Sequence, residues 1–264
     1  MHAPATLFLL ACFVVPVIYV LALSVGGSSG ALTHFERLVN VPVYLKVLAS
    51  TFRTALIVTV ACLALGYPLA YVMATRRGPL PQVLFAVVAI SFWTGFVVRT
   101  YAWLVILGNK GVIVALYALF HWGQPPQLLF TSFSSTLGMV HILLPFMVMA
   151  LYGVMRRIDP NHMRAAHSLG ANPRRAFLEV YLPLSLAGVV NGSLLVFTLC
   201  LGFYVTPILL GTPKDMMISQ LITQQVEELL AWDFAAALAT VLLAVTLLLV
   251  WLYNRIAGLD RLWG

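Results

Sequence analysis

The chain has 264 residues, 62% of them hydrophobic and 9% charged, with a formal net charge of +7. A soluble domain carries about a quarter charged residues and could not hide this much apolar surface in one core, so a soluble enzyme is excluded. The apolar residues also run continuously instead of alternating, which excludes a membrane β-barrel and predicts an all-α integral membrane protein.

Six spans are expected, at 5–25, 51–75, 81–107, 132–154, 182–204 and 233–254, in a single transmembrane domain covering 1–264. Each reaches the roughly 20 residues that a bilayer requires. The first is read as a retained span despite the cleavage-like Ala22-Leu23-Ser24, because no Lys or Arg precedes it and it exceeds a signal-peptide core. Gly26-Gly27-Ser28-Ser29-Gly30 fits G-x-S-x-G, but it follows a membrane helix and not a strand, so no nucleophile elbow is expected. Gly66 and Pro68 mark a kink in the second span. The loops at 26–50, 108–131 and 205–231 are weakly amphipathic, with Pro125-Pro126 and Pro213 as punctuation. Cys12, Cys62 and Cys200 fall in separate apolar runs, which is packing and not a metal or disulfide framework.

Charge sets the expected orientation. With both termini cytoplasmic, the inner segments hold Arg76, Arg77, Arg156, Arg157, Arg164, Arg174, Arg175, Arg255 and Arg261, against Arg37, Lys46, Lys110 and Lys214 outside. This is the positive-inside pattern, and it accounts for the basic balance through lipid topology, with no nucleic-acid partner. Tyr101, Trp103, Trp122 and Trp232 then lie near the outer interface.

The polar loop at 156–181 between spans four and five carries unusual punctuation. Asp159-Pro160 is a cap followed by a first-turn proline, Gly170 stands where a helix of about ten residues needs a left-handed residue, and Asn172-Pro173 repeats the start. Pro183 marks entry into the membrane. A helix this short is marginal in water, so its Met163, Ala166, Leu169 side requires a surface to pack against, and the small Ala165 and Ala166 permit close approach.

These residues resemble the cytoplasmic signature of ABC-importer permeases, Glu-Ala-Ala, three residues, Gly, nine residues, Ile-x-Leu-Pro. Here Ala165-Ala166, Gly170, Val180, Leu182 and Pro183 keep the spacing, while Arg164 replaces the glutamate and Val180 the isoleucine. FWTGFVVRTYAWLVILGNKG at 92–111, LLPFMVMALYG at 143–153 and FYVTPILLGTPKDMMISQLI at 203–222 are similar to permeases of the spermidine/putrescine type, a group that also imports opines and phosphonates. The resemblance implies a type I ABC-importer permease fold with six transmembrane helices and a cytoplasmic coupling helix at about 160–169. It further implies a bacterial inner-membrane, binding-protein-dependent transport subunit with no chemistry of its own. ATP and Mg would sit on two partner ATPase subunits, a second permease (or a second copy) would complete the pore, and a periplasmic protein would deliver the solute. Polyamine is the leading solute, with aminophosphonates and opines as alternatives. Arg164, Ala165, Ala166, Leu169, Gly170, Val180, Leu182 and Pro183 are the expected ATPase-coupling residues.

For the translocation pathway the candidates are Phe92, Trp93, Arg99, Tyr101, Trp103, Tyr204 and Asp233. Arg99 either snorkels at the outer end of span three or faces the pathway, and the rings around it offer cation–π faces or simple packing. Asp215, Glu227, Glu228 and Asp233 form either a cation-attracting vestibule or a solvated rim. His141 is expected to hydrogen-bond a neighbouring helix, and Gly188 with Gly192 to permit close packing, within the chain or across a permease pair. A secondary transporter or channel is disfavoured, since neither inverted repeats nor mid-span acids are evident.

Overall fold

The computed structural model describes residues 3–26, 33–121, 123–124 and 126–257. Gly27, Ser28, Ser29, Gly30, Trp122, Pro125 and Arg261 lie outside the described residues. Among the described residues the chain is helical, without strands. In chain order the helices are α1 (Ala3–Val25), α2 (Thr33–Asn40), α3 (Pro42–Thr75), α4 (Pro79–Trp93), α5 (Phe96–Leu107), α6 (Val112–Leu119), α7 (Ser132–Met155), α8 (Pro160–Ser168) and α9 (Pro173–Ala176). After a π turn (Phe177–Tyr181) come α10 (Leu182–Leu201), α11 (Val205–Leu210), a 3-10 turn (Pro213–Asp215), α12 (Ile218–Glu227) and α13 (Trp232–Ala257).

Local chemistry explains most of the starts. Pro42 and Pro79 open α3 and α4, where a missing N–H costs nothing. Thr131 and Ser134 form a reciprocal capping box at the start of α7. Pro68 and Pro145 lie inside α3 and α7, which continue through them.

The core is a slab of α3, α7 and α10, with α7 in the middle. Met139, Leu143, Met147, Val148 and Leu151 of α7 are buried against Ala55, Val58 and Cys62 of α3 and Val196 and Cys200 of α10. Lipid tails are as apolar as leucine, so contact between spans comes from close van der Waals fit, for which small residues are needed. Gly192 provides it, since a Cβ there would stand 2.8 Å from Met147 Sδ. Gly188 faces Val154 and Leu151 in the same way, so the glycine pair of span five packs inside this chain. Cys62 and Cys200 are buried free thiols in this slab. At one end a second cluster joins Leu38, Val47, Ile218, Leu221, Phe234 and Leu238, and α1 packs along α13.

The stretches Pro42–Thr75, Phe96–Leu119, Ser132–Met155, Pro173–Leu201 and Trp232–Tyr253 are long and apolar enough to cross a membrane, with Leu10–Val25 and Pro79–Trp93 as shorter apolar helical stretches. The expected third span at 81–107 is therefore not one helix. Thr94 and Gly95 are extended (ψ 126° and 138°), ending α4 and starting α5. The Phe92 ring meets Phe146 at 5.0 Å and Arg99 reaches Ile142, so this break is level with the middle of α7.

Candidate functional site

The loop between α7 and α10 is built from caps. Asp159 is extended, and its carboxylate accepts from the Asn161 N–H at 2.9 Å. At the other end of α8, Gly170 has φ +85°, a conformation that L side chains rarely adopt. The Gly170 N–H donates to His167 O and the Ala171 N–H to Ala166 O, both at 3.0 Å, the paired bonds of a Schellman motif. Asn172 then accepts from the Arg175 N–H at 2.8 Å and Pro173 begins α9. The caps lie where the residues predicted them.

The faces of α8 differ from the expectation. Met163 does not share an offered side with Leu169; it turns inward onto the main core. Ala166 is buried, and α8 packs against the π turn. Arg164 and Ala165 are exposed, and Leu169 is 89% exposed, a large apolar side chain standing almost free. Between α8 and the π turn lies a cleft of about 410 Å³ lined by Ala165, Ala166, Leu169, Arg175, Glu179 and Val180. Leu182 is half-buried and Pro183 exposed at the start of α10. Eight residues singled out from the sequence thus fall on one small unit, with Leu169 as its most exposed apolar point.

A second group of polar contacts sits at the level of the α4–α5 break. Arg99 is 7% exposed, and its Nη1 donates to the Ile142 carbonyl at 3.2 Å. The snorkelling alternative is overturned, because the side chain is held inward by α7. One turn later the Trp103 indole N–H donates to His141 Nδ1 at 3.0 Å, which meets the expected interhelical bond of His141 and fixes its proton on Nε2. Thr100 and Thr206 hydroxyls are 3.1 Å apart, joining α5 to α11. Phe96 faces Phe203 at 6.1 Å. Two interruptions, Thr94–Gly95 and the Gly202–Tyr204 step between α10 and α11, are therefore joined through α5.

Of the remaining pathway candidates, Phe92, Trp93 and Tyr204 flank the two interruptions, but their side chains do not join the buried polar contacts. Phe92, Trp93, Tyr101 and Tyr204 are exposed, Trp93 at 86%. Asp233 is half-buried at the start of α13, beside Phe234 of the separate second cluster. Asp215 is tied into the fold by hydrogen bonds. Its carboxylate accepts from the Thr212 N–H and hydroxyl and from Ser132 Oγ. Sequence reasoning missed Thr100, Thr206 and the π turn. The one available signal for the last was Pro183 inside a run that stays helical from Pro173 to Leu201. Among the described residues there is no group of His, Cys, Asp and Glu able to hold a metal.

Known proteins resemble the chain in sequence and in fold. Residues 66–258 match the family described as binding-protein-dependent transport system inner membrane component. The chain is 33% identical over 229 residues to the spermidine/putrescine transport system permease protein PotB of Escherichia coli (strain K12), covering 85% of this chain and 83% of that one. It is 30% identical over 250 residues to PotB of Haemophilus influenzae, covering 91% and 87%. Among solved structures, a chain of a bacterial alginate ABC transporter in complex with an alginate pentasaccharide-bound periplasmic protein superposes with a TM-score of 0.81 at 15% identity, over 97% of this chain and 92% of that one. At that identity the likeness is one of fold.

Proposed function

The chain belongs to the family of binding-protein-dependent transport system inner membrane components, a multi-pass permease subunit of an ABC importer and not an enzyme, and we propose that its solute is a polyamine and its motor connection is α8. The relatives named for spermidine and putrescine support the solute, since they match over most of both chains. The carrying observation for the motor connection is Leu169, 89% exposed on a helix capped at both ends and leaning on α10 through the π turn. An apolar side chain so placed at the arginine-rich end of the bundle fits a groove on a cytoplasmic protein.

In this reading Arg76, Arg77, Arg156 and Arg157 face the cytoplasm together with both termini. Two ATPase subunits, which hold ATP and Mg, seat α8 and its counterpart on a second permease. A periplasmic protein delivers the solute on the opposite side. ATPase closure draws the two docking helices together and biases the pore between inward-open and outward-open packings, a rigid-body switch driven by a ligand bound elsewhere. The permease contributes position and no bond chemistry.

The test is reconstitution with the second permease, ATPase and binding protein in vesicles, in a Cys12→Ser background carrying Leu169→Cys. Uptake of labelled spermidine or putrescine is expected only with ATP, and Cys at 169 is expected to cross-link to the ATPase. Uptake by the permeases alone without nucleotide, or labelling of position 169 from the periplasmic side, overturns the reading. Preference of the binding protein for aminophosphonates or opines would overturn only the solute.

A further inference from the structure

We propose that Pro183 and the π turn before it set the rotational register of α8, so that one extra residue in the helix positions the Leu169 face. This rests on the docking role proposed above, and it assigns Pro183 as a positioning residue without contact to any partner. The run from Pro173 to Leu201 is helical throughout, yet Phe177–Tyr181 is wound as a π turn. The Leu182 N–H reaches the Phe177 carbonyl, five residues back, where α-winding would use Leu178.

The reason lies one residue later. In α-geometry the Pro183 ring would press on the Glu179 carbonyl, four residues back, and it has no N–H to donate there. Widening the turn by one residue moves that carbonyl away from the ring, so the proline fixes where the π turn sits. Rings from α3 hold the widened turn. Tyr71 stands edge-on to Phe177 at 5.5 Å and to Tyr181 at 4.9 Å, while Phe177 and Tyr181 stack at 5.9 Å. Tyr67 meets Phe177, and its hydroxyl lies 2.8 Å from Ser185 Oγ. The Tyr181 hydroxyl is buried without a hydrogen-bond partner, so this packing is kept although it leaves a polar group unsatisfied. α8 and α9 both pack on the turn. Rewinding it as α-helix would rotate α9 and the α8 segment joined to it by about 100° relative to α10 and shift them by about 1.5 Å along its axis. Leu169 would then face elsewhere.

The experiment measures register directly. Spin labels on Thr75→Cys and Ser168→Cys, in a Cys12→Ser background, report the distance from the end of α3 to α8 in the detergent-purified chain without ATPase. Pro183→Ala restores an N–H at that position and is expected to move the distance by about 5 Å, with loss of uptake in the full transporter. Deleting Leu178 together with Pro183→Ala removes the extra residue and is expected to return both the distance and the uptake. An unchanged distance in Pro183→Ala, or a shift that the deletion does not reverse, overturns the proposal. If Pro183→Ala alone does not accumulate, a folded double variant with the native distance supports it, and failure of both overturns it. Should the distances behave as stated while Cys at 169 never meets an ATPase, the docking reading falls and the register assignment stands.

Discussion

The helix interruptions around α8 and those level with the middle of α7 solve the same problem in opposite ways. Around α8 the helix ends are capped from within a few residues, by Asp159, Asn172 and the Gly170 turn. At mid-α7 level neither α5 nor α11 has a side-chain cap. The bonds found there reach residues far along the chain, Arg99 Nη1 to Ile142, Trp103 to His141 and Ser219 Oγ to the Phe203 carbonyl at 2.7 Å, while Arg99 Nε stays buried without a partner. Water can serve a loop that lacks a partner, but in hydrocarbon each unsatisfied backbone group costs several kcal/mol, about the stability of the whole fold when two or three are left open. Polar structure is therefore local at the wet end and tertiary in the apolar layer.

Two glycines break this contrast most sharply. A Cβ on Gly138 would lie 2.7 Å from Leu210 Cδ1 and 2.8 Å from Thr206 Cγ2. Gly138→Val is expected to destabilise the protein by about 3 kcal/mol and to lower its Tm by several degrees in detergent. An unchanged Tm would mean that α11 slides freely on α7. Gly170 has open space around it and only its φ of +85° to protect. Gly170→Val is expected to cost about 1–2 kcal/mol, confined to the loop. The global Tm should move less than for Gly138→Val, while amides of α8 exchange faster and the ATPase co-purifies poorly.

Two polar pairs sharpen it further. Trp103→Phe leaves His141 Nδ1 without its donor in an apolar layer and is expected to cost about 1 kcal/mol, read by chemical or thermal denaturation in detergent. Arg175 and Glu179 form an i,i+4 pair at 2.9 Å, but their side chains are 66% and 60% exposed. Arg175→Ala is expected to change stability by less than about 0.5 kcal/mol, within the error of the same measurement. A larger loss there than in Trp103→Phe would reverse the comparison.

The same contrast explains what could be read in advance. The α8 caps are legible because the residue that closes each terminus stands next to it in the chain, as in Asp159-Pro160 and Asn172-Pro173. The break at Thr94–Gly95 is not, because a lone glycine among apolar residues is ordinary in membrane helices and hydropathy passes over it. Burial of Arg99 depends on Ile142, 43 residues away, which no local pattern announces. Asp215 looks like a surface acid until Ser132, 83 residues earlier, is found beside it. Pro183 reads as a membrane entry point, and its effect on the preceding turn emerges only from the backbone.

The anchoring of the α8 segment has a mechanical consequence. Met155, where the chain leaves α7, and Tyr181, where it rejoins α10, are buried in one and the same cluster. Both roots of the segment are thus fixed in a single stiff slab, and it behaves as a handle and not as a strap. A force applied at Leu169 cannot be absorbed by stretching a tether between two moving bodies. In the docking reading it would pass directly into the packed cluster that α3, α7 and α10 share.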